Sequence, residues 1–273
     1  MKQFQKEITS QIINALKKGV RPWECPFERC QLPVNFKTKK QYQGINILYL
    51  WLTARLKGFT NNYWLGFAQA RSLNAKVKKG SKGTQVIACF PKKELKDGSD
   101  DEYVITPFFK VEKVFNLDQV EGLKLDTENN NIAKLDNIEN FLKRVNPKII
   151  HKGERAFYDV TNNYINMPYK SKFKNNEGYY STLFHELIHW TGQEICLDRF
   201  DTHDADSERG RAFEELVAEI GASFLCANFG ITPNIQNTSN YVGSWLKELE
   251  NDTNYIFKAC KEATFALNFL LAM

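Results

Sequence analysis

Residues 185–189 read His-Glu-Leu-Ile-His, inside the run Tyr179-Tyr-Ser-Thr-Leu-Phe-His-Glu-Leu-Ile-His-Trp-Thr-Gly192. Two histidines four residues apart share one face of a helix, so His185 and His189 can grip one zinc ion. Glu186 is then placed to take a proton from a water that the zinc acidifies. The chain of 273 residues holds only four histidines, and two of them stand here. On a helical wheel Leu183, Leu187 and Trp190 form an apolar stripe, extended by Phe184 and Ile188. Both histidines fall outside it, on a face with Thr182 and Glu186. The bland alternative, a surface helix with solvated histidines, would not require this segregation. The helix is expected to start at Ser181, a side-chain cap, and to stop at Gly192.

A catalytic zinc takes three protein ligands and keeps one position open. The three-histidine protease pattern would need a histidine at position 195, which is Ile195, so that class is excluded. The better candidate is Glu215, in Arg211-Ala-Phe-Glu-Glu-Leu-Val-Ala-Glu-Ile-Gly-Ala-Ser-Phe224. Glu215 and Glu219 lie opposite the apolar face of Phe213, Val217, Ile220 and Phe224, flanked by Ala218 and Ala222. Like charges at i, i+4 repel on an isolated helix. No Lys or Arg occurs from Ala212 to Asn228 to offset them. Small residues around paired acids indicate a close neighbouring helix and a nearby cation. Glu215 is therefore expected to bind the zinc, and Glu219 to hold a ligand histidine by its second ring nitrogen. An exchange of the two glutamate roles stays open, and His203 is a rival ligand.

The elements that must position these groups follow from periodicity and breakers. Helices are expected over residues 6–18, 46–57, 66–73, 138–145 and 211–228, with a last one from about Ser239 to Leu271, broken once. Strands are expected at residues 76–90 and 103–115, around a polar tip at 96–102. Three short strands are expected at 148–152, 156–160 and 164–167. The strand Tyr164–Met167, just ahead of the zinc helix, could accept an extended peptide by strand addition. An asparagine-rich stretch around Asn129-Asn-Asn131 reads as a linker. The expected fold is α+β: a mixed basic domain at 1–122, a linker at 123–136, and a metallopeptidase-like domain at 137–273, a small sheet with packed helices.

Charge divides the chain in the same way. Residues 1–90 carry sixteen Lys and Arg against three acids, a net of +13, while residues 123–273 net −5. No apolar run approaches the length of a membrane span. The start lacks the apolar centre of a secretion signal. Six scattered cysteines read as reduced thiols of a cytoplasmic protein rather than a disulfide framework.

Between Lys37 and Lys82 the cations are interleaved with Tyr42, Tyr49, Trp51, Phe59, Tyr63, Trp64 and Phe67. Single-stranded nucleic acid needs both classes, lysines for phosphates and ring faces for bases. Some of these rings, Trp51 among them, must be core. The segment Lys76-Val-Lys-Lys-Gly-Ser-Lys-Gly83 lacks the spacing and ending of a nucleotide-hydrolase phosphate loop.

These phrases together resemble the ArdC antirestriction family of plasmids and phages. The front-half matches are Pro22-Trp23, Tyr42-Gln-Gly-Ile-Asn46, Trp64-Leu-Gly-Phe-Ala-Gln-Ala70 and Val77-Lys-Lys-Gly-Ser-Lys-Gly83. The back-half matches are His185-Glu-Leu-Ile-His-Trp-Thr-Gly192 and Phe213-Glu-Glu-Leu-Val-Ala-Glu219. The resemblance implies a single-stranded DNA-binding domain followed by a zincin-like metallopeptidase domain, protecting single-stranded mobile DNA, for instance in conjugation, from host restriction. It supports Glu215, since related zincins carry a Glu-x-x-Ala-acid phrase after the zinc helix. Candidate DNA contacts are Lys39, Lys40, Tyr42, Asn46, Trp64, Gln69, Lys78, Lys79 and Lys82. Two departures stand out. Cys196 occupies the place of a family arginine, and Asn74-Ala75 replaces a glycine before the basic turn. Two readings follow: a DNA-binding zinc peptidase, for which a host restriction factor is a candidate substrate, or a DNA-coating protein whose zinc site is structural or idle.

Overall fold

The computed structural model describes residues 2–27, 30–95, 103–125, 135–200, 207–233 and 241–273. The centre of the expected linker, the hairpin tip at 96–102, His203 and the expected start of the last helix at Ser239 lie outside these residues.

The fold is α+β. In the front half, α1 (Lys2–Lys17) ends at Gly19, whose φ of +73° suits a residue without a Cβ. Then come β1 (Val34–Asn35), α2 (Ile45–Lys57), β2 (Tyr63–Gly66), α3 (Phe67–Ser72), β3 (Lys76–Val77), β4 (Thr84–Leu95), β5 (Tyr103–Asn116) and β6 (Val120–Glu121). Four strands form a sheet in the order β1-β2-β5-β4, and β3 pairs with β6 in a separate ribbon. β4 and β5 make a long antiparallel hairpin. α2 is apolar on nearly every side because it is buried on nearly every side. Its Leu50 and Ala54 pack with Trp64, Val86 and Val114 of the sheet. Asn74 adopts φ +56°, the left-handed conformation that asparagine tolerates best after glycine.

The back half holds α4 (Leu135–Val145), β7 (Ile149–His151), β8 (Phe157–Asp159), β9 (Tyr164–Met167), α5 (Asn176–Trp190), α6 (Glu208–Phe229), α7 (Val242–Asn251) and α8 (Tyr255–Ala272). The expected break in the last helix falls between Asn251 and Tyr255. The three short strands form a sheet in the order β7-β9-β8. β9 is therefore central, paired parallel with β7 and antiparallel with β8. Its ladder groups face strands on both sides. The expected peptide addition to Tyr164–Met167 has no edge to use.

One apolar core runs through both halves of the sequence. It joins Phe4, Ile8, Trp23, Leu48 and Trp51 to Phe184, Leu187, Phe224, Trp245 and Leu267. α1 lies against α7, and Trp51 meets Phe224 edge-on. The step in charge along the chain is thus not a gap in the packing.

Candidate metal centre and basic face

α5 begins one and a half turns before Ser181. Its cap is Asn175, whose side chain accepts from the Gly178 N–H at 2.8 Å. Ser181 is instead buried in the helix, because Tyr179 and Tyr180 already pack as helical residues of the core. The other end is as expected in place: α5 stops at Trp190, and the Gly192 N–H donates to the His189 carbonyl. A Cβ on Gly192 would lie 2.6 Å from the Phe200 ring and 3.1 Å from Arg199. Its absence lets the chain fold back so that Arg199 reaches under the helix end.

α6 crosses α5 at Gly221. A Cβ there would sit 2.8 Å from Ile188 Cδ1. This close approach brings the carboxylates of α6 up to the histidines of α5. His185 Nε2 and His189 Nε2 face each other at 3.2 Å. Glu215 Oε2 is 3.5 Å from the first and Oε1 is 3.7 Å from the second. Donors at the corners of a tetrahedron about 2.0–2.1 Å from an ion stand about 3.3–3.4 Å apart, so the set fits a divalent cation. It is the one such group of three found among the described residues.

The remaining ring nitrogens fit the same purpose. His189 Nδ1 lies 3.0 Å from Glu214 Oε1. His185 Nδ1 lies 3.9 Å from Glu219 Oε1. A carboxylate on Nδ1 holds the proton there and leaves the Nε2 lone pair for a metal. Two bare lone pairs at 3.2 Å would repel without a cation between them. Burial alone would lower the His185 pKa, but the Glu215 hydrogen bond and the charges of Glu186, Glu219 and Glu215 push it up to about 9. Burial would raise the Glu215 pKa, but the His185 hydrogen bond and the charges of His189 and His185 hold it below the usual carboxylate range. Glu186 is buried next to His185.

Sequence reasoning missed two supports of this cluster. Arg199 is fully buried and grips Glu214 with two hydrogen bonds, Nε to Oε2 at 2.8 Å and Nη2 to Oε1 at 2.7 Å. It also donates to the Ile188 carbonyl and to Thr191 Oγ1 at the end of α5. An arginine is thus present here, three residues beyond Cys196. The second support is Trp23, whose Nε1–H donates to Glu219 Oε2 at 3.1 Å. Burial raises the Glu219 pKa to about 7, with His185 and the Trp23 bond opposing the rise.

The nine candidate DNA contacts divide by burial. Lys39, Lys40, Lys78, Lys79 and Lys82 are exposed. Trp64 is only 1% exposed and lies edge-on to Phe59, so it offers no face to a base. Asn46 is a clamp on the edge of β4: its amide donates to the Ile87 carbonyl at 2.8 Å and accepts from the Ile87 N–H at 2.9 Å. Gln69 accepts from the N–H of Gly66, the N-cap of its own helix α3, and from Asn35 Nδ2. Tyr42 is half-buried, and burial raises its pKa. These three polar groups already have structural partners, and Trp64 is core. The rings that face outward are others: Phe67 is 63% exposed, and Phe90, Phe108 and Phe109 on the β4–β5 hairpin are about half exposed. Strand-like runs at residues 85–90 and 103–115 marked those strands, but not which of their rings the body of the protein leaves uncovered.

No described helix is long and apolar enough to cross a membrane. A family model for the N-terminal domain of anti-restriction factor ArdC matches residues 2–115, and one for zincin-like metallopeptidases matches residues 136–262. Two crystal structures of the antirestriction ArdC protein from the R388 plasmid superpose on this chain at 36% identity. The metal-free one has a TM-score of 0.83 and covers 98% of this chain and 96% of its own. The Mn(II)-bound one has a TM-score of 0.81 and covers 98% and 97%. A protein designated y4eC in Sinorhizobium fredii is 30% identical over 94% of this chain and 87% of its own. Two Escherichia coli proteins named DNA primase TraC are 33% identical over 99% of this chain, which spans only 27% and 20% of their lengths.

Proposed function

The chain belongs to the ArdC family of antirestriction proteins, and on that premise we propose that it binds single-stranded DNA through its basic half and hydrolyses a peptide bond at a zinc centre in its other half. The observation that carries the second part is the convergence of His185 Nε2, His189 Nε2 and the Glu215 carboxylate within 4.8 Å. Two imidazoles and one carboxylate are a donor set that suits zinc and leaves one position open. When bound, the ion supplies a Lewis acid that polarises a substrate carbonyl and lowers the pKa of water.

The protein's own groups do the rest. Glu214 fixes the tautomer and tilt of His189 through its Nδ1, and Glu219 stands 3.9 Å from His185 Nδ1, in place to do the same when the ring closes on an ion. Glu186 takes the proton from the attacking water and returns it to the leaving amine. In the basic half, Lys39, Lys40, Lys78, Lys79 and Lys82 meet phosphates. Phe67, Phe90, Phe108 and Phe109 offer the ring faces that Trp64 cannot.

The Glu186→Ala variant separates proteolysis from DNA coating. Zinc content and single-strand affinity should match the parent, while peptide cleavage and protection of incoming DNA are lost. Full protection by this variant would mean that coating alone suffices and that the zinc site is idle.

A further inference from the structure

We infer that Trp23, in the basic half of the chain, is a positioning residue of the metal centre: its indole N–H holds Glu219 so that the other carboxylate oxygen is aimed at His185. The inference rests on the metal centre proposed above and extends it across the molecule.

Glu219 is completely buried in α6. One oxygen accepts from Trp23 Nε1–H at 3.1 Å. The other, Oε1, has no hydrogen-bond partner among the described residues, and neither has His185 Nδ1, 3.9 Å away. These two orphaned atoms face each other, and a buried polar atom left unmade is costly enough to need a reason. A carboxylate in an apolar site rotates freely about its last bond unless one oxygen is pinned. Trp23 pins it, and Trp23 is itself immobile. It is fully buried and edge-on to Trp245 with ring centres 5.4 Å apart. Trp245 is tied in turn to the first turns of α6 by its Nε1–H on the Ala212 carbonyl at 2.7 Å. The donor therefore comes from a segment 196 residues away in sequence, and it reaches the centre through a ring cluster that spans both halves. A buried indole needs an acceptor wherever it packs; what is particular here is that the acceptor is the oxygen whose pinning leaves Oε1 directed at His185.

Zinc affinity is measured by chelator competition on the full chain, with Trp23→Phe, Glu219→Gln and the double variant. Phenylalanine keeps an aromatic ring in the core and removes only the donor and one ring. Loss of such an indirect ligand support weakens metal binding by about 10-fold, and that is the result expected for Trp23→Phe. Because Trp23 acts through Glu219, the same replacement in the Glu219→Gln background should change affinity by less than about 2-fold. Unchanged affinity in Trp23→Phe overturns the inference, and so does an equal loss in both backgrounds, which would reduce Trp23 to packing. Should Trp23→Phe fail to fold, the parent chain with nitrogen-15 in its indoles decides. The Trp23 N–H resonance should shift on adding zinc, and should stay in place in Glu219→Gln; no shift in the parent overturns the inference. If the parent itself takes up no zinc, the proposed metal centre fails first, and that outcome is distinct from the others.

Discussion

Arg199 and Glu214 are buried side by side, and their pairing governs how His189 is held. Burial alone would raise the Glu214 pKa, but the Arg199 charge and hydrogen bonds, with His189 adding to them, push it down to about 2. A carboxyl whose folded pKa is depressed contributes stability above the ordinary carboxylate range. That contribution is lost as pH falls from about 4.5 toward 2. Arg199→Met removes the cation and leaves a buried carboxylate, so urea unfolding at neutral pH should show a loss of about 3–5 kcal/mol. Its stability should also vary less between pH 4.5 and 2 than the parent's. An unchanged acid limb would show that the pair is not what holds Glu214 ionised. At this scale the sequence shows only what is local. His185, Glu186 and His189 were legible because one helical turn contains the chemistry. The approach of Glu215 to the two histidines was legible from its small neighbours. Arg199 and Trp23 were not, because their partners lie 15 and 196 residues away, and no spacing rule reaches that far.

The elements were read well where breakers marked them and poorly where burial decided. Gly19, Gly58 and Gly230 end their helices at positive φ, and glycine at such a stop is visible in sequence. The start of α5 was misplaced because Ser181 and Asn175 both suit a cap, and only packing chooses between them. The order of β7, β9 and β8 was not legible at all, since three short apolar runs carry no pairing information. The crossing of α5 and α6 is the element-scale determinant of the centre. Ala at position 221 would press on the branched Ile188 side chain at a distance real contacts do not allow. Gly221→Ala should therefore destabilise the protein by about 1–3 kcal/mol in denaturant titration. It should also weaken zinc binding, because Glu215 moves away from both imidazoles with its helix. A variant that loses stability but keeps full zinc affinity would show that the centre tolerates helix separation.

Across the whole molecule, a net +13 over the first ninety residues was legible as an electrostatic surface. Which rings face outward was not, because Tyr49, Trp51 and Trp64 are core while Phe90, Phe108 and Phe109 on the hairpin are about half exposed. Replacing Lys78, Lys79 and Lys82 together with alanine should weaken single-strand binding. It should also reduce the slope of log affinity against log salt by up to about 2, at about 0.7 per lost phosphate contact. An unaltered slope would place the phosphates elsewhere. The account as a whole depends on a cation seated between two helices that the front half of the chain helps to hold. Anomalous diffraction at the zinc edge, on crystals of the zinc-loaded protein, tests this most directly. The predicted result is one peak about 2.0–2.2 Å from His185 Nε2, His189 Nε2 and a Glu215 oxygen. Imidazoles turned away from each other, or a peak coordinated by Glu219 in place of Glu215, would contradict it.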